Sequence, residues 1–323
     1  MHRSTLWKVL ELYGIPDCYI SIFKSLYENS SCCVKTESGL TDFFEILSRV
    51  QQGCVLSPFF FFIILDFILK TSLDKDNHGL LWSEKKLSDI DFADDLALLA
   101  TTCSEMQIMT NNVVEIAETF GLRVNIGKTK VQKICSTEIE SLKIKDEIID
   151  EVESFSYLGS IQRFDGDSEI DTRSRLGKGA GVFKKLHKIW NTRKVSMDTK
   201  LRLFNAVVIS TATYAADTWK STAKSFRQLD TFQQKCLRKI LGVKWQDRIT
   251  NEEILRRTNS TRLSNIIKSR RVQLLGHIIR MPKEIPANVA LNWRPDGGKR
   301  SRGRPKKSLR ATLMQDLRDC GTN

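Results

Sequence analysis

The sequence feature that most constrains the fold is the apolar run from Pro58 to Leu69, in which Asp66 is the only charged residue. A run of this composition must leave water, yet its 12 residues are too few to cross a bilayer as a helix. It therefore predicts a helix buried in a protein core. The first 20 residues mix charged and apolar side chains too evenly for a signal peptide, so we expect an intracellular protein without a membrane partner.

The segments around this run predict an α+β fold. Helices are expected at 4–13, 17–27 and 102–120, where apolar residues recur at helical spacing. Alternating or β-branched stretches between turn residues predict strands at Cys33–Thr36, Phe43–Leu47, Lys86–Phe92, Leu96–Ala100 and Leu122–Ile126. The region from 173 to 280 has few turn signals and predicts helices that include Leu201–Tyr214, Ser225–Leu241 and Leu263–Met281.

Charge is distributed unevenly along the chain. Residues 1–150 hold 15 Lys and Arg against 22 Asp and Glu, a net charge of −7, whereas residues 151–323 hold 36 against 16, a net charge of +20. A sustained basic excess favours a polyanion such as nucleic acid as the partner, although a solvated, highly charged helical surface would give the same count. The eight cysteines include no C-x-x-C pair, which argues against a disulfide framework or a zinc knuckle.

Two adjacent carboxylates, Asp94 and Asp95, lie between two predicted strands, and so at the tip of a hairpin. Their oxygens suit a hard divalent cation such as Mg²⁺. Acidic pairs are also common in turns, because Asp hydrogen-bonds its own backbone there. The pair alone is therefore more often a turn than a metal site.

Four sequence blocks occur in an order and spacing that give the acidic pair a more specific context. They are Gln51 to Pro58 (QQGCVLSP), Asp91 to Asp95 (DFADD), Gly121 to Lys130 (GLRVNIGKTK) and Phe155 to Gly159 (FSYLG). Together they resemble the reverse transcriptases of non-LTR retrotransposons. The resemblance continues into the basic part of the chain and covers nearly all of it.

The resemblance implies a partial polymerase palm, an antiparallel sheet backed by helices, in residues 1–160. A mainly helical, basic thumb and downstream region would follow in 161–293, and a basic tail in 294–323 that lacks fixed structure up to Leu309. The implied ligands are an RNA template, a DNA primer and deoxynucleoside triphosphates, with Mg²⁺ or Mn²⁺ and no organic cofactor.

The resemblance also assigns roles to single residues. Asp94 and Asp95 would be catalytic and hold the metal, and Lys128 would approach the triphosphate. The nucleotide would be bound by Gln52, Gly53, Ser57 and Phe92, and the primer end would be gripped by Phe155, Tyr157, Leu158 and Gly159.

Without the resemblance these blocks have plainer interpretations. Gly53 and Pro58 suit any sharp loop before a helix. Lys128 could equally lie in a solvated loop. Phe155 and Tyr157 are two apart on a strand and so share one face of it. Aromatic residues in this pattern more often pack in a core than contact nucleic acid.

A cluster of cations near the C-terminus is the last candidate site, and it comprises Arg300, Arg302, Arg304, Lys306 and Lys307. Its Arg-Gly-Arg-Pro core matches minor-groove-binding AT-hook peptides. Because the resembled family carries a similar basic stretch there, generic contact with phosphates is the favoured role.

In-line nucleotidyl transfer uses two metal ions, which two neighbouring aspartates cannot easily bridge. In the family, a further Asp comes from a strand just before the segment that matches His2 to Trp7. The fingers of the polymerase precede that strand. This sequence begins at Met1, so we expect a chain that does not polymerise DNA by itself. The alternatives are a non-catalytic nucleic-acid-binding protein and a pseudogene product with no selected role.

Overall fold

The computed structural model divides the chain into two compact units, Met1–Val152 and Glu153–Asn323. It describes residues 2–28, 30–37, 39–46, 53–73, 78–82, 85–134, 138–165, 169–219, 222–292 and 309–319. The division falls just before the Phe155 to Gly159 block, which therefore belongs to the second unit. No helix in the described part of the chain is both long and apolar enough to span a bilayer.

Four helices build the core of the first unit: α1 (Arg3–Leu12), α2 (Asp17–Tyr27), α3 (Ser57–Leu73) and α4 (Cys103–Thr119). The apolar run forms α3, whose Phe60 and Ile64 are fully buried against α1 and α2. Asp66 lies off this core and accepts hydrogen bonds from Tyr13 and Lys70. The prediction of a buried core helix is therefore confirmed.

The strands of the first unit form two-stranded ladders rather than one broad sheet among the described residues. Five ladders are antiparallel and one is parallel. In chain order the strands are β1 (Ser31–Cys32), β2 (Lys35–Thr36), β3 (Gly39–Leu40), β4 (Phe44–Glu45), β5 (Leu80–Trp82), β6 (Lys85–Leu87), β7 (Asp89–Phe92), β8 (Asp95–Leu98), β9 (Lys130–Val131), β10 (Lys143–Ile144), β11 (Glu147–Ile148) and β12 (Asp150–Glu151). β1 pairs with β4, β2 with β3, β5 with β6, β7 with β8, β10 with β11, and β9 with β12 in parallel.

Three of the predicted strands differ from the structure. Of Cys33–Thr36 only Lys35–Thr36 is a strand, β2, and Cys33 and Val34 are outside it. The segment Leu122–Ile126 is not a strand, because Leu122 N–H donates back to the end of α4 and Asn125 O accepts the N–H groups of Lys128 and Thr129. These local bonds form turns at both ends of the segment. The expected strand Lys86–Phe92 is divided at Ser88 between β6 and β7.

The second unit begins with a hairpin, β13 (Ser154–Tyr157) and β14 (Ser160–Arg163), and continues as helices. These are α5 (Glu169–Lys185), α6 (His187–Asn191), α7 (Met197–Leu203), α8 (Ser210–Ala212), α9 (Ala223–Leu241), α10 (Asn251–Arg257), α11 (Leu263–Arg280), α12 (Pro286–Asn292) and α13 (Leu309–Asp319). A π-helical turn at Phe204–Ile209 joins α7 to α8, and short 3-10 turns lie at Ala216–Thr218 and Trp245–Asp247.

The helical prediction for this unit is confirmed, and its boundaries have local causes. Helix α9 begins where the Thr222 hydroxyl accepts Ser225 N–H at 3.0 Å, and it ends at Gly242, whose φ is 70°. Its buried face, with Leu229 and Leu237, packs into a core that also contains Phe204 and Ile267.

The end of the expected basic tail is an ordered helix in the structure. Leu313 of α13 is buried, and Asp316 of α13 lies 3.0 Å from the buried guanidinium of Arg271 on α11. Helix α13 therefore packs on α11 of the second unit. It begins at Leu309, the residue up to which the sequence predicts no fixed structure. The basic positions Arg300, Arg302, Arg304, Lys306 and Lys307 lie outside the described residues.

Candidate functional site

The acidic pair lies at the tip of the β7–β8 hairpin, as the sequence predicts. Phe92 pairs with Asp95, which leaves Ala93 and Asp94 as a two-residue turn. Ala93 has a φ of 57°, in the left-handed region that such tight turns require and that costs a residue with a Cβ some strain. The strained backbone of Ala93 thus allows the tight turn that places Asp94 and Asp95 together at the tip.

The tip of this hairpin faces solvent, whereas the base of β8 is half-buried. Asp94 and Asp95 are exposed, and Phe92 beside them is 62% exposed. Further along β8, Leu96 and Leu98 pack against Leu69, Leu73, Met109 and Val113 of α3 and α4. The two helices therefore hold the hairpin from behind and leave its acidic end accessible to a ligand.

The acidic pair supplies only part of a metal-ligand set. Carboxylate oxygens are the donors that Mg²⁺ prefers. In the described part of the chain, however, no three His, Cys, Asp or Glu side chains are grouped so that they could hold a metal ion. Asp94 and Asp95 therefore do not amount to a complete site.

The loop that leads into α3 has the geometry of a helix entry. Gly53 has a φ of 87°, a conformation that favours glycine, and Ser57 N–H donates to Cys54 O at 3.2 Å. Ser57 is buried, and its hydroxyl lies 3.4 Å from the hydroxyl of Tyr27. The N–H of Leu56 lowers the pKa of the Cys54 thiol. Gln52 lies outside the described residues.

Lys128 lies in the turn that replaces the expected strand after α4. Its N–H donates to the Asn125 backbone and side-chain oxygens at 3.1 and 3.2 Å, and its own side chain is exposed. Lys130 is engaged instead, since it contacts Asp150 at 2.6 Å. The two lysines therefore differ: the side chain of Lys130 is in an ion pair, whereas that of Lys128 is exposed to solvent and accessible to a ligand.

The Phe155 to Gly159 block forms strand β13 and the tight turn after it. Leu158 and Gly159 have φ values of 48° and 77°, and Tyr157 pairs with Ser160 across the turn. Phe155 and Tyr157 share one half-buried face of the strand, while Ser154 and Ser156 are exposed. The alternation of exposed and half-buried side chains expected of a strand is therefore present, and a tight turn follows it.

Both carbonyl groups of this turn are held by side chains from the helices. The Tyr214 hydroxyl donates to Leu158 O at 3.0 Å, and the Arg175 guanidinium donates to Gly159 O. The same guanidinium lies 4.2 Å from the centre of the Tyr214 ring. A Cβ at Gly159 would meet Arg175 Nη2 at 2.9 Å, so glycine permits this close approach.

Asp171 fastens the other side of the hairpin. This residue in the first turn of α5 is 1% exposed, and its carboxylate accepts bonds from Ser160 Oγ at 3.0 Å, Ile161 N–H at 3.1 Å and Trp219 Nε1 at 2.8 Å. Arg175, one turn further along α5, lies 4.0 Å away. Sequence reasoning missed Asp171 and Arg175; their four-residue spacing was the available signal.

Parts of the chain are similar in sequence to known proteins. Residues 2–161 match the family described as reverse transcriptase (RNA-dependent DNA polymerase). An uncharacterised transposon-derived protein of Caenorhabditis elegans is 25% identical over 245 residues, which are 72% of this chain and 86% of that protein. A retrovirus-related Pol polyprotein from a type-2 retrotransposable element of Drosophila melanogaster is 24% identical over 128 residues, which are 40% of this chain and 12% of the polyprotein.

The matched region contains the loop at Gly53, the acidic hairpin, Lys128 and the turn at Leu158 and Gly159. Reverse transcriptases as a family act on a nucleic-acid template and primer with deoxynucleoside triphosphates, and they use divalent metal ions. Residues 2–161 of this chain belong to that family, and the chain is related to the reverse transcriptases of non-LTR retrotransposons.

Proposed function

We propose that this chain carries the palm and thumb of an RNA-directed DNA polymerase of the non-LTR retrotransposon type. The observation that carries the proposal is the exposed acidic pair, Asp94 and Asp95, on a hairpin held from behind by α3 and α4. A polymerase needs such a rigid, accessible carboxylate group next to the growing strand.

The other residues of the proposed nucleotide site have supporting features of different strength. Gly53 turns the chain sharply before α3, and Phe92 is an exposed aromatic ring beside the acidic pair. Lys128 is an exposed cation that could approach the triphosphate. Gln52 and Ser57 would shape the pocket, and Asp94 and Asp95 would contribute two of the ligands for Mg²⁺ or Mn²⁺.

The hairpin of β13 and β14 is the proposed primer grip, formed by Phe155, Tyr157, Leu158 and Gly159. Its turn is supported by Asp171, Arg175 and Tyr214, so the backbone that would meet the primer is fixed before the primer arrives. A backbone that is already fixed loses less conformational entropy when it binds a ligand. The helices that follow would form the thumb.

We further propose that the chain by itself does not polymerise DNA, because its described residues offer no third metal-ligating side chain beside the acidic pair. Primer extension on an RNA template with Mg²⁺ or Mn²⁺ should give no template-dependent product, while an active reverse transcriptase on the same template should give full extension. Incorporation that Asp94→Ala abolishes would contradict this expectation and would place the active site at the hairpin.

Asp146→Ala is the matched control for that assay. Asp146 is also an exposed acid in a two-residue hairpin turn, after Lys145 with a φ of 56°. Any incorporation should therefore survive Asp146→Ala. If both substitutions had the same effect, the loss would reflect turn stability and not metal chemistry.

A non-catalytic nucleic-acid-binding role is the second candidate, and the +20 charge of residues 151–323 favours it. A surface groove of about 660 Å³ between α5 and α9 is lined by cations that include Arg227 and Lys235. Phosphates can approach such a groove while condensed counterions are released. The cations at Arg300, Arg302, Arg304, Lys306 and Lys307 would add to this attraction.

Binding should weaken steeply with salt, because each neutralised phosphate releases counterions. Arg227→Gln with Lys235→Gln should reduce the slope of log affinity against log salt by roughly 1 per cation, measured by anisotropy of a labelled RNA. Neutralising Arg302 and Arg304 should act similarly. Asp94→Ala should leave affinity unchanged, as should Lys8→Gln, an exposed cation of the first unit. Affinity that is equal at low and moderate salt would rule out this role.

A further inference from the structure

An exposed tryptophan occupies the short turn after α9. Trp245 is 85% exposed, whereas Trp190 and Trp219 in the same unit are 2% and 6% exposed. A large aromatic ring left in water gains nothing for the fold, because its apolar surface is not buried. We therefore expect the Trp245 ring to contact a ligand rather than to stabilise the fold.

The backbone around Trp245 is held by specific bonds. Lys244 N–H donates to the Asp247 carboxylate at 2.7 Å, and Arg248 N–H donates to Trp245 O at 3.3 Å. Asp247 and Trp245 thereby close a 3-10 turn with Trp245 as its first residue.

Both ends of this turn are also anchored to the core of the second unit. Val243 and Ile249, which flank it, are half-buried against that core. Arg238 of α9 donates to Ile249 O at 2.7 Å and to Asn251 Oδ1 at 2.9 Å. The backbone of the turn is thus fixed by hydrogen bonds and by packing, and it presents the Trp245 ring to solvent.

The charges beside the ring are positive. Lys244 and Arg248 are exposed on either side of Trp245, and among the described residues neither makes an ion pair. The carboxylate of Asp247 is turned to the backbone of the same loop. Nearby Glu253 and Glu252 are already engaged, by Arg256 and Arg257 and by Arg262 respectively.

We propose that Trp245 is a stacking platform for an unpaired base of single-stranded nucleic acid, with Lys244 and Arg248 contacting the phosphates on either side. A flat aromatic surface between two cations matches the alternation of base and phosphate along a single strand. A duplex fits less well, because its bases are already stacked on each other. The proposal shares with the proposed function only the class of ligand, and it needs neither polymerisation nor the acidic hairpin.

The test is binding of the full chain to a short labelled oligouridylate and to an RNA duplex of the same length, at one fixed salt concentration. Trp245→Ala should weaken single-strand binding by about tenfold, since base–aromatic stacking contributes ~1.4 kcal/mol at this level. Trp245→Phe should retain most of the affinity, because it keeps an aromatic ring. Duplex binding should change little in either variant.

Intrinsic fluorescence gives a second readout. Stacking on a base should quench part of the tryptophan emission of the wild-type chain, and that part should be missing in Trp245→Phe. Phe43→Ala, which removes a 73% exposed aromatic ring from the first unit, is the matched control and should affect neither signal. Thermal unfolding of Trp245→Ala and Trp245→Phe should match the wild type, because Trp245 is 85% exposed.

Unchanged single-strand affinity in Trp245→Ala would overturn the proposal, and so would an equal loss on duplex, since that would indicate charge alone. A Trp245→Phe variant as weak as Trp245→Ala would also overturn it. Asp146→Ala, at an exposed acid outside the proposed polymerase site, should bind the oligouridylate as the wild type does. Primer extension reports on the polymerase site separately, so that failure at Trp245 and failure of the polymerase site are read from different measurements.

Discussion

Arg271→Met should destabilise the second unit by about 3–5 kcal/mol, the usual cost of removing one partner of a buried ion pair. Arg271 is 1% exposed, and its guanidinium lies 3.0 Å from the Asp316 carboxylate and donates to Trp219 O at 3.3 Å. Burial lowers the pKa of Arg271, while Asp316 and Asp217 oppose that shift. Without the cation, the buried carboxylate of Asp316 loses its counter-charge.

The loss has an upper limit, because α13 can leave α11 and return Asp316 to water. Helix α13 is held by the burial of Leu313 and by the Lys268–Asp319 contact as well. We therefore expect protease cleavage near α13 to accelerate in Arg271→Met more than elsewhere. Urea unfolding would measure the change in the free energy of unfolding.

Two variants on the same pair of helices serve as controls. Lys268→Met removes the more exposed Lys268–Asp319 pair and should have a much smaller effect, because water screens it. The double variant Arg271→Met with Asp316→Leu removes both buried charges and should recover most of the loss. If Arg271→Met were no worse than Lys268→Met, the buried pair would not be what holds α13.

Asp171→Ala should loosen the proposed primer grip and cost about 3 kcal/mol. The carboxylate accepts three hydrogen bonds, from Ser160, Ile161 and Trp219, and Asp171 is almost fully buried. Each buried donor left without an acceptor costs roughly 1–3 kcal/mol, although part is recovered when the hairpin moves and admits water. The expected value lies near the lower end of that sum for this reason.

Hydrogen exchange separates the local effect from a general one. Amide groups of residues 154–163 should lose more protection in Asp171→Ala than those of α9 or α11. Glu169→Ala is the matched control, since Glu169 lies in the same first turn of α5 but pairs with Lys224 near the surface, and it should leave the hairpin protected. Tyr214→Phe removes only the hydroxyl bonded to Leu158 O and should cost about 1 kcal/mol. Equal exchange in Asp171→Ala and Glu169→Ala would refute the anchoring role.

Part of the candidate site could be predicted from the sequence because it depends on neighbours along the chain. The acidic tip follows from two short strands with turn residues between them. Strand β13 follows from the alternation of Phe155 and Tyr157, whereas its partner β14 was not predicted. Helix α9 has its own cap and stop, and so its bounds were readable as well.

Other features were decided only by tertiary contacts. The residues Leu122–Ile126 suit a strand, but their backbone forms turn hydrogen bonds at the end of α4 and around Asn125 instead of pairing with another strand. Asp171 resembles an ordinary acid near a helix start, and only the folded chain brings Ser160 and Trp219 to it. The docking of α13 likewise depends on Arg271, 45 residues away from Asp316 in sequence.

The sequence by itself determined which residues sit at turns, on helices and beside one another over a few positions, since those choices depend on local backbone preferences and on apolar spacing. The tertiary structure decided which buried charges and donors find partners, because an isolated charge or polar group is excluded from a core until a distant residue compensates it. That is why the acidic hairpin could be located in advance, whereas the Asp171 and Arg271 networks that support the second unit could not.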